Sequence, residues 1–130
     1  QENIRRIGEV ASLFADAGFI VITAFISPYA EDRRRARSMA EHYFNTIYIK
    51  ADVETCEKRD VKGLYKKARA GEIKDFTGIS APYEIPEQPD LVIDTQQHDV
   101  ENCISQLMAY VDEHFVKPAV QAELADHYDI

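Results

Sequence analysis

Phe19-Ile-Val-Ile-Thr-Ala-Phe25 runs straight into Ile26-Ser-Pro-Tyr29. A continuous apolar run, rich in β-branched residues and with no polar alternation, is how a strand covered on both faces reads in a parallel sheet. Ser27-Pro28 breaks it. Upstream, Ile4, Ile7, Val10, Ala11 and Phe14 recur at helical spacing from about residue 2 to 17, and Gly18 suits the left-handed position that closes a helix. Downstream, a highly charged helix is expected over about 30–43, and Thr46-Ile-Tyr-Ile-Lys50 reads as a second strand. Asp52 is placed to cap a helix carrying Cys56 and Arg59. Gly63 to Gly71 reads as a short basic helix. Residues 75–89 are turn-rich, with Gly78, Pro82, Pro86 and Pro89, the composition of a functional loop or lid. Asp90-Leu-Val-Ile-Asp94 is a third strand. Asp99 caps a helix through about Phe115, and Pro118 opens a short terminal helix. Helices and strands in this rhythm predict a doubly wound α/β sheet. Three strands are few where about five are usual, so the sheet reads as incomplete, with the remaining strands expected before residue 1. Ligands bind such sheets at the carboxyl ends of the strands, here Phe25-Ile-Ser27, Lys50-Ala-Asp52 and Asp94-Thr95.

The 130 residues are 45% apolar and 29% charged, ordinary for one globular domain or part of one. No apolar run nears the ~20 residues of a membrane span. Fifteen basic residues against 23 acidic leave a net charge of −8, which disfavours nucleic acid as a partner. The charge is uneven: residues 1–74 hold 14 Lys/Arg against 11 Asp/Glu, whereas 75–130 hold only Lys117 against 12 acids. Within 58–74 seven basic residues face two acidic ones. A basic segment in an acidic chain suits a small anionic ligand, or else a solvated helix face. Cys56 and Cys103, both in apolar-periodic segments, read as buried free thiols, consistent with a reducing cytoplasm. The four histidines share no metal-ligand spacing.

Ser27 stands where an anion could dock on such a sheet; by position alone a turn or N-cap is the better reading, with Pro28 opening the helix. No Gly-x-Ser-x-Gly elbow supports a hydrolase. The most unusual stretch is Lys62-Gly-Leu-Tyr-Lys-Lys-Ala-Arg-Ala-Gly71 joined to Glu72-Ile-Lys-Asp-Phe-Thr-Gly-Ile79. Its lysines offer charge to phosphate or sulfate oxygens, an aromatic ring such as Phe76 can stack on a purine, and its glycines allow a cover to hinge. An exposed amphipathic helix followed by a loop would look the same in charge and period.

Asn3-Ile-Arg-Arg6, Leu13-Phe-Ala-Asp-Ala-Gly18, Phe25-Ile-Ser-Pro-Tyr29, Cys56-Glu-Lys-Arg-Asp60 and Lys62 through Ile79 together resemble the adenylylsulfate kinase family, in order, from about Glu2 to Phe115. The resemblance implies a three-layer P-loop kinase fold. It implies transfer of the ATP γ-phosphoryl group to the 3′-hydroxyl of adenosine 5′-phosphosulfate, with Mg²⁺, in sulfate assimilation. It further implies a cytoplasmic enzyme, commonly a homodimer, in some cases joined to an ATP sulfurylase. Residue by residue, Asn3, Ile26, Ser27, Lys62 and Phe76 match positions that bind the sulfate nucleotide, Phe76 being the ring on its adenine. Arg59 matches an arginine near the ATP adenine. The serine at Ser27 is also assigned in the family as a phosphoserine intermediate, which a direct in-line transfer does not need. Asp75 matches a further substrate-binding position, where a backbone contact is expected; many relatives carry glycine there, and its carboxylate would bring negative charge toward an anionic substrate.

No Gly-x-x-x-x-Gly-Lys-Ser/Thr occurs in the chain, although that loop cradles the ATP phosphates and its hydroxyl holds Mg²⁺. The family places it ahead of Asn3. Residues 1–116 are therefore expected to be the C-terminal portion of a kinase domain, with a lid at about 60–89, and 117–130 a tail of unassigned role. Such a portion alone is expected to be inactive. A non-catalytic nucleotide-binding or regulatory remnant, and a P-loop kinase for another nucleotide, are the other readings.

Overall fold

The computed structural model describes residues 2–40 and 43–118. Its elements are α1 (Glu2–Asp16), α2 (Ala30–Ser38), β1 (Ile47–Lys50), α3 (Val53–Lys58), α4 (Leu64–Arg69), β2 (Leu91–Asp94) and α5 (Val100–Val111), which runs into a π-helical turn at Asp112–Val116. The terminal helix expected beyond Pro118 lies outside the described residues. β1 and β2 pair in parallel, with Ile47 opposite Leu91 and Lys50 opposite Asp94. Everything between them, α3, α4 and the proline-rich loop, is one long crossover, as a parallel pair requires. Ile93, 2% exposed, is the most deeply buried large side chain among the described residues.

Local chemistry explains the element ends. Gly18 takes φ +89°; its N–H bonds the Ala15 carbonyl at 2.9 Å and the Phe19 N–H reaches the Phe14 carbonyl at 3.1 Å. Phe14 and Phe19 then meet edge to face at 5.8 Å, the hydrophobic contact that accompanies this type of helix stop. Asp52 accepts the Thr55 N–H at 2.7 Å and Asp99 the Asn102 N–H at 2.9 Å, so both expected caps form. At Gly8 of α1 a Cβ would meet the flexible Met39 Sδ at 2.9 Å and Ala36 of α2 at an ordinary 3.8 Å.

Two expectations are corrected. Phe19–Phe25 is not a strand. A strand exists only through hydrogen bonds to a neighbour, and among the described residues β1 and β2 form the sheet without it. The segment stays exposed, with Ile22 at 75% and Phe19 at 62%. Cys56 and Cys103 are free thiols, but half-buried rather than buried, because the helices that carry them have little packed on their apolar faces.

Candidate functional site

The carboxyl ends of β1 and β2 carry a dense polar network. Lys50 Nζ bridges to Asp94 Oδ2 at 2.7 Å; the pairing raises the lysine above its usual range and lowers the carboxyl below its own. Gln96 Nε2 donates to Asp52 Oδ2 at 2.8 Å and Thr55 Oγ1 at 3.1 Å. Arg59, just past α3, forks onto Thr95, with Nη1 on the hydroxyl at 2.9 Å and Nη2 on the carbonyl at 2.6 Å. Its guanidinium is thereby held at the end of β2, where ligands of open sheets dock.

The basic lid is built from its own turns. Asp60 accepts the Leu64 N–H at 2.8 Å and the Lys66 N–H at 3.0 Å. Burial pushes its carboxyl up, but these backbone donors outweigh it and the net shift is downward. Asp60 thus supplies the cap that Gly63, the residue before α4, cannot. Lys62 lies in this loop, exposed. Arg69 on α4 reaches Glu57 on α3 at 2.7 Å. Phe76 is half-buried and meets Tyr65 edge to face at 4.9 Å. Burial, and then a hydrogen bond with Cys56, pushes the Tyr65 phenol up to about 12. The Phe76 N–H bonds Ser80 Oγ at 2.9 Å, while its carbonyl takes the N–H groups of Ile79, Ser80 and Ala81, each at 3.0 Å. The ring therefore projects from a tightly tied turn.

Ser27 has φ +35° and Asp75 φ +53°. Among the described residues these are the two non-glycine residues in the left-handed region, which costs an L-residue about 1–2 kcal/mol. Both are site residues expected from sequence. Strain of this kind concentrates at ligand clamps and active sites. Ser27 is not the N-cap of α2: the helix begins at Ala30, after Tyr29. The Ala30 N–H is instead received by the Glu84 carboxylate at 2.5 Å, from 54 residues further along the chain.

Ser27 also borders a cavity of about 330 Å³ walled by Ile4, Ile7 and Ala11 of α1, the Phe19–Phe25 segment, and Leu107 and Val111 of α5. It is an apolar hollow, and neither Lys62 nor Phe76 lines it. Ile26 is exposed beside Ser27, and Asn3 is exposed in the first turn of α1. The structure thus ties the end of the lid to Ser27 through Glu84, sets Arg59 at the strand ends, and leaves Asn3, Lys62 and Phe76 on separate turns. Sequence reasoning placed Thr95 at a strand end but missed Arg33, Glu84 and Gln96. Arg33 stands one helical turn before Ala36, on the side of α2 that also carries buried Asp32 and Ala36. Among the described residues no group of three His, Cys, Asp or Glu side chains converges on a metal position.

A parallel sheet with strand-end polar residues and a basic lid is of the α/β class to which P-loop kinases belong, and known proteins narrow it. The family model for adenylylsulphate kinase matches residues 1–94. The adenylyl-sulfate kinase of Staphylococcus epidermidis is 58% identical over 114 residues, covering 87% of this chain and 57% of the relative. The probable adenylyl-sulfate kinase of Bacillus subtilis is 60% identical over the same length, 87% of this chain and 58% of the relative. The solved Mycobacterium tuberculosis APS kinase CysC, in complex with AMPPNP and APS, superposes with a TM-score of 0.72 at 41% identity, covering 82% of this chain and 63% of that one. The chain belongs to the adenylylsulfate kinase family, and it spans a little under three-fifths of the length of these curated relatives.

Proposed function

We propose that this chain forms the acceptor-nucleotide and lid portion of an adenylylsulfate kinase. In this reading it holds adenosine 5′-phosphosulfate while the ATP γ-phosphoryl group passes to the 3′-hydroxyl. Phe76 stacks on the adenine, Lys62 neutralises phosphate and sulfate charge, and Asn3, Ile26 and Ser27 hold the sulfate nucleotide. Arg59 lies along the ATP adenine. Ser27 acts first as a binding residue, since phosphoryl transfer by positioning and charge neutralisation needs no covalent serine. The observation that carries the reading is the coincidence of strain with assignment: Ser27 and Asp75, both left-handed, fall at positions matched to the acceptor nucleotide. Mg²⁺, a cytoplasmic location, a homodimer and association with an ATP sulfurylase belong to the same proposal.

These 130 residues contain no Gly-x-x-x-x-Gly-Lys-Ser/Thr loop, so they are expected to bind the acceptor without turning it over. Calorimetric titration tests the site. Adenosine 5′-phosphosulfate should bind more tightly than AMP, and Phe76→Ala should weaken it about tenfold or more, the worth of one stacked base. Equal affinity for the two nucleotides, or a Phe76→Ala variant that binds like the parent, would overturn the assignment.

A further inference from the structure

Arg33 is half-buried on α2, and three observations converge on it. Its Nη1 donates to the Ser27 carbonyl at 2.6 Å, and its Nη2 donates to the Glu84 carbonyl at 2.6 Å. Its guanidinium also lies 6.0 Å from the centre of the Tyr83 ring, and Tyr83 in turn stacks on Tyr48 of β1 at 6.3 Å. Glu84 answers from the other side. Its N–H donates to the Pro28 carbonyl at 2.8 Å, and its carboxylate receives the Ala30 N–H. Three hydrogen bonds therefore join residues 27–33 to residue 84, and a fourth ties Arg33 back to Ser27. A left-handed serine persists only where its surroundings over-determine it, and here Arg33 and Glu84 are what surround it.

We propose that Arg33 is a positioning residue: its guanidinium clamps the strained Ser27 turn to the end of the lid, so that the serine is presented to the acceptor nucleotide in one geometry. The second half of this rests on the reading of Ser27 given above; the clamp does not. The guanidinium serves both carbonyls from N–H groups fixed in one plane. A lysine keeps the charge but not the pair of parallel N–H groups.

The test uses Arg33→Ala and the milder Arg33→Lys in the full chain. Amide hydrogen exchange should quicken at least about tenfold at the Ala30 and Glu84 N–H groups in both variants, while the Thr55 amide capped by Asp52 stays as protected as in the parent. Affinity for adenosine 5′-phosphosulfate should fall by a similar factor. Free ethylguanidinium should restore it in Arg33→Ala, and ethylammonium should not. Unchanged exchange at Ala30 and Glu84 in Arg33→Lys would overturn the clamp, as would exchange that rises equally throughout that variant. Weakened binding that neither cation restores would overturn the positioning role. If the parent itself does not bind the nucleotide, the reading of Ser27 falls, while exchange at Ala30 and Glu84 still decides whether the clamp exists.

Discussion

Asp75 shows how one residue can carry two costs. Its backbone is left-handed at φ +53°, and its carboxylate stands beside the ring proposed to take an adenine. Glycine meets the first demand without a Cβ and removes the second charge altogether. Asp75→Gly is therefore expected to raise stability by up to about 1 kcal/mol and to tighten binding of adenosine 5′-phosphosulfate. Denaturant melts and calorimetry on the same preparation would check both, and a glycine variant that binds more weakly would show that the carboxylate contributes a contact. Ser27 differs, because its turn is tied down by Arg33 on the Ser27 carbonyl and by Glu84 on Pro28 and Ala30. The sequence pointed to both positions. That they share a backbone conformation was not legible, because φ at a polar residue in a loop is set by what the loop is tied to.

Among the elements, the caps dominate. Backbone N–H bonds, from Thr55 onto Asp52 and from Asn102 onto Asp99, hold both carboxyls below their ordinary values. A carboxylate whose folded pKa is depressed adds stability that is present above its unfolded value, about 3.9, and lost as pH falls through the folded one. The thermal midpoint should thus be level from neutrality down to about pH 5 and drop below about pH 4. Circular dichroism melts across that range would show it, and a midpoint unchanged at pH 3 would contradict it. These caps were legible in sequence because each acts within three residues of its own position. The cap of α2 was not, because its acceptor, Glu84, comes from the far end of the lid.

At the scale of the whole molecule, the accessible surface is 10081 Å², against about 7,000 Å² for a compact monomer of this mass. Among the described residues only Ala36, Ala68 and Ile93 are buried apolar side chains. Val10, Leu13, Phe14 and the Phe19–Ile26 stretch lie open. A surface of that kind takes up hydrophobic dyes and associates. The chain on its own is expected to enhance the fluorescence of an anilinonaphthalene dye at neutral pH and to sediment faster than a monomer. A dye-silent, strictly monomeric chain would argue that the apolar stretch is covered.

Local chemistry in the amino-acid order determined the helices, their caps, the Gly18 stop, the pairing-competent runs at 46–50 and 90–94, and the basic lid, because each depends on neighbours a few positions away. Whether Phe19–Phe25 became a strand was decided by tertiary structure, since its hydrogen bonds need another chain segment at its edge. The same holds for the Ser27 turn, which takes its shape from Arg33 and from a glutamate 57 positions along the chain. Contacts that cross such distances leave no period and no local motif, so only the folded arrangement reveals them.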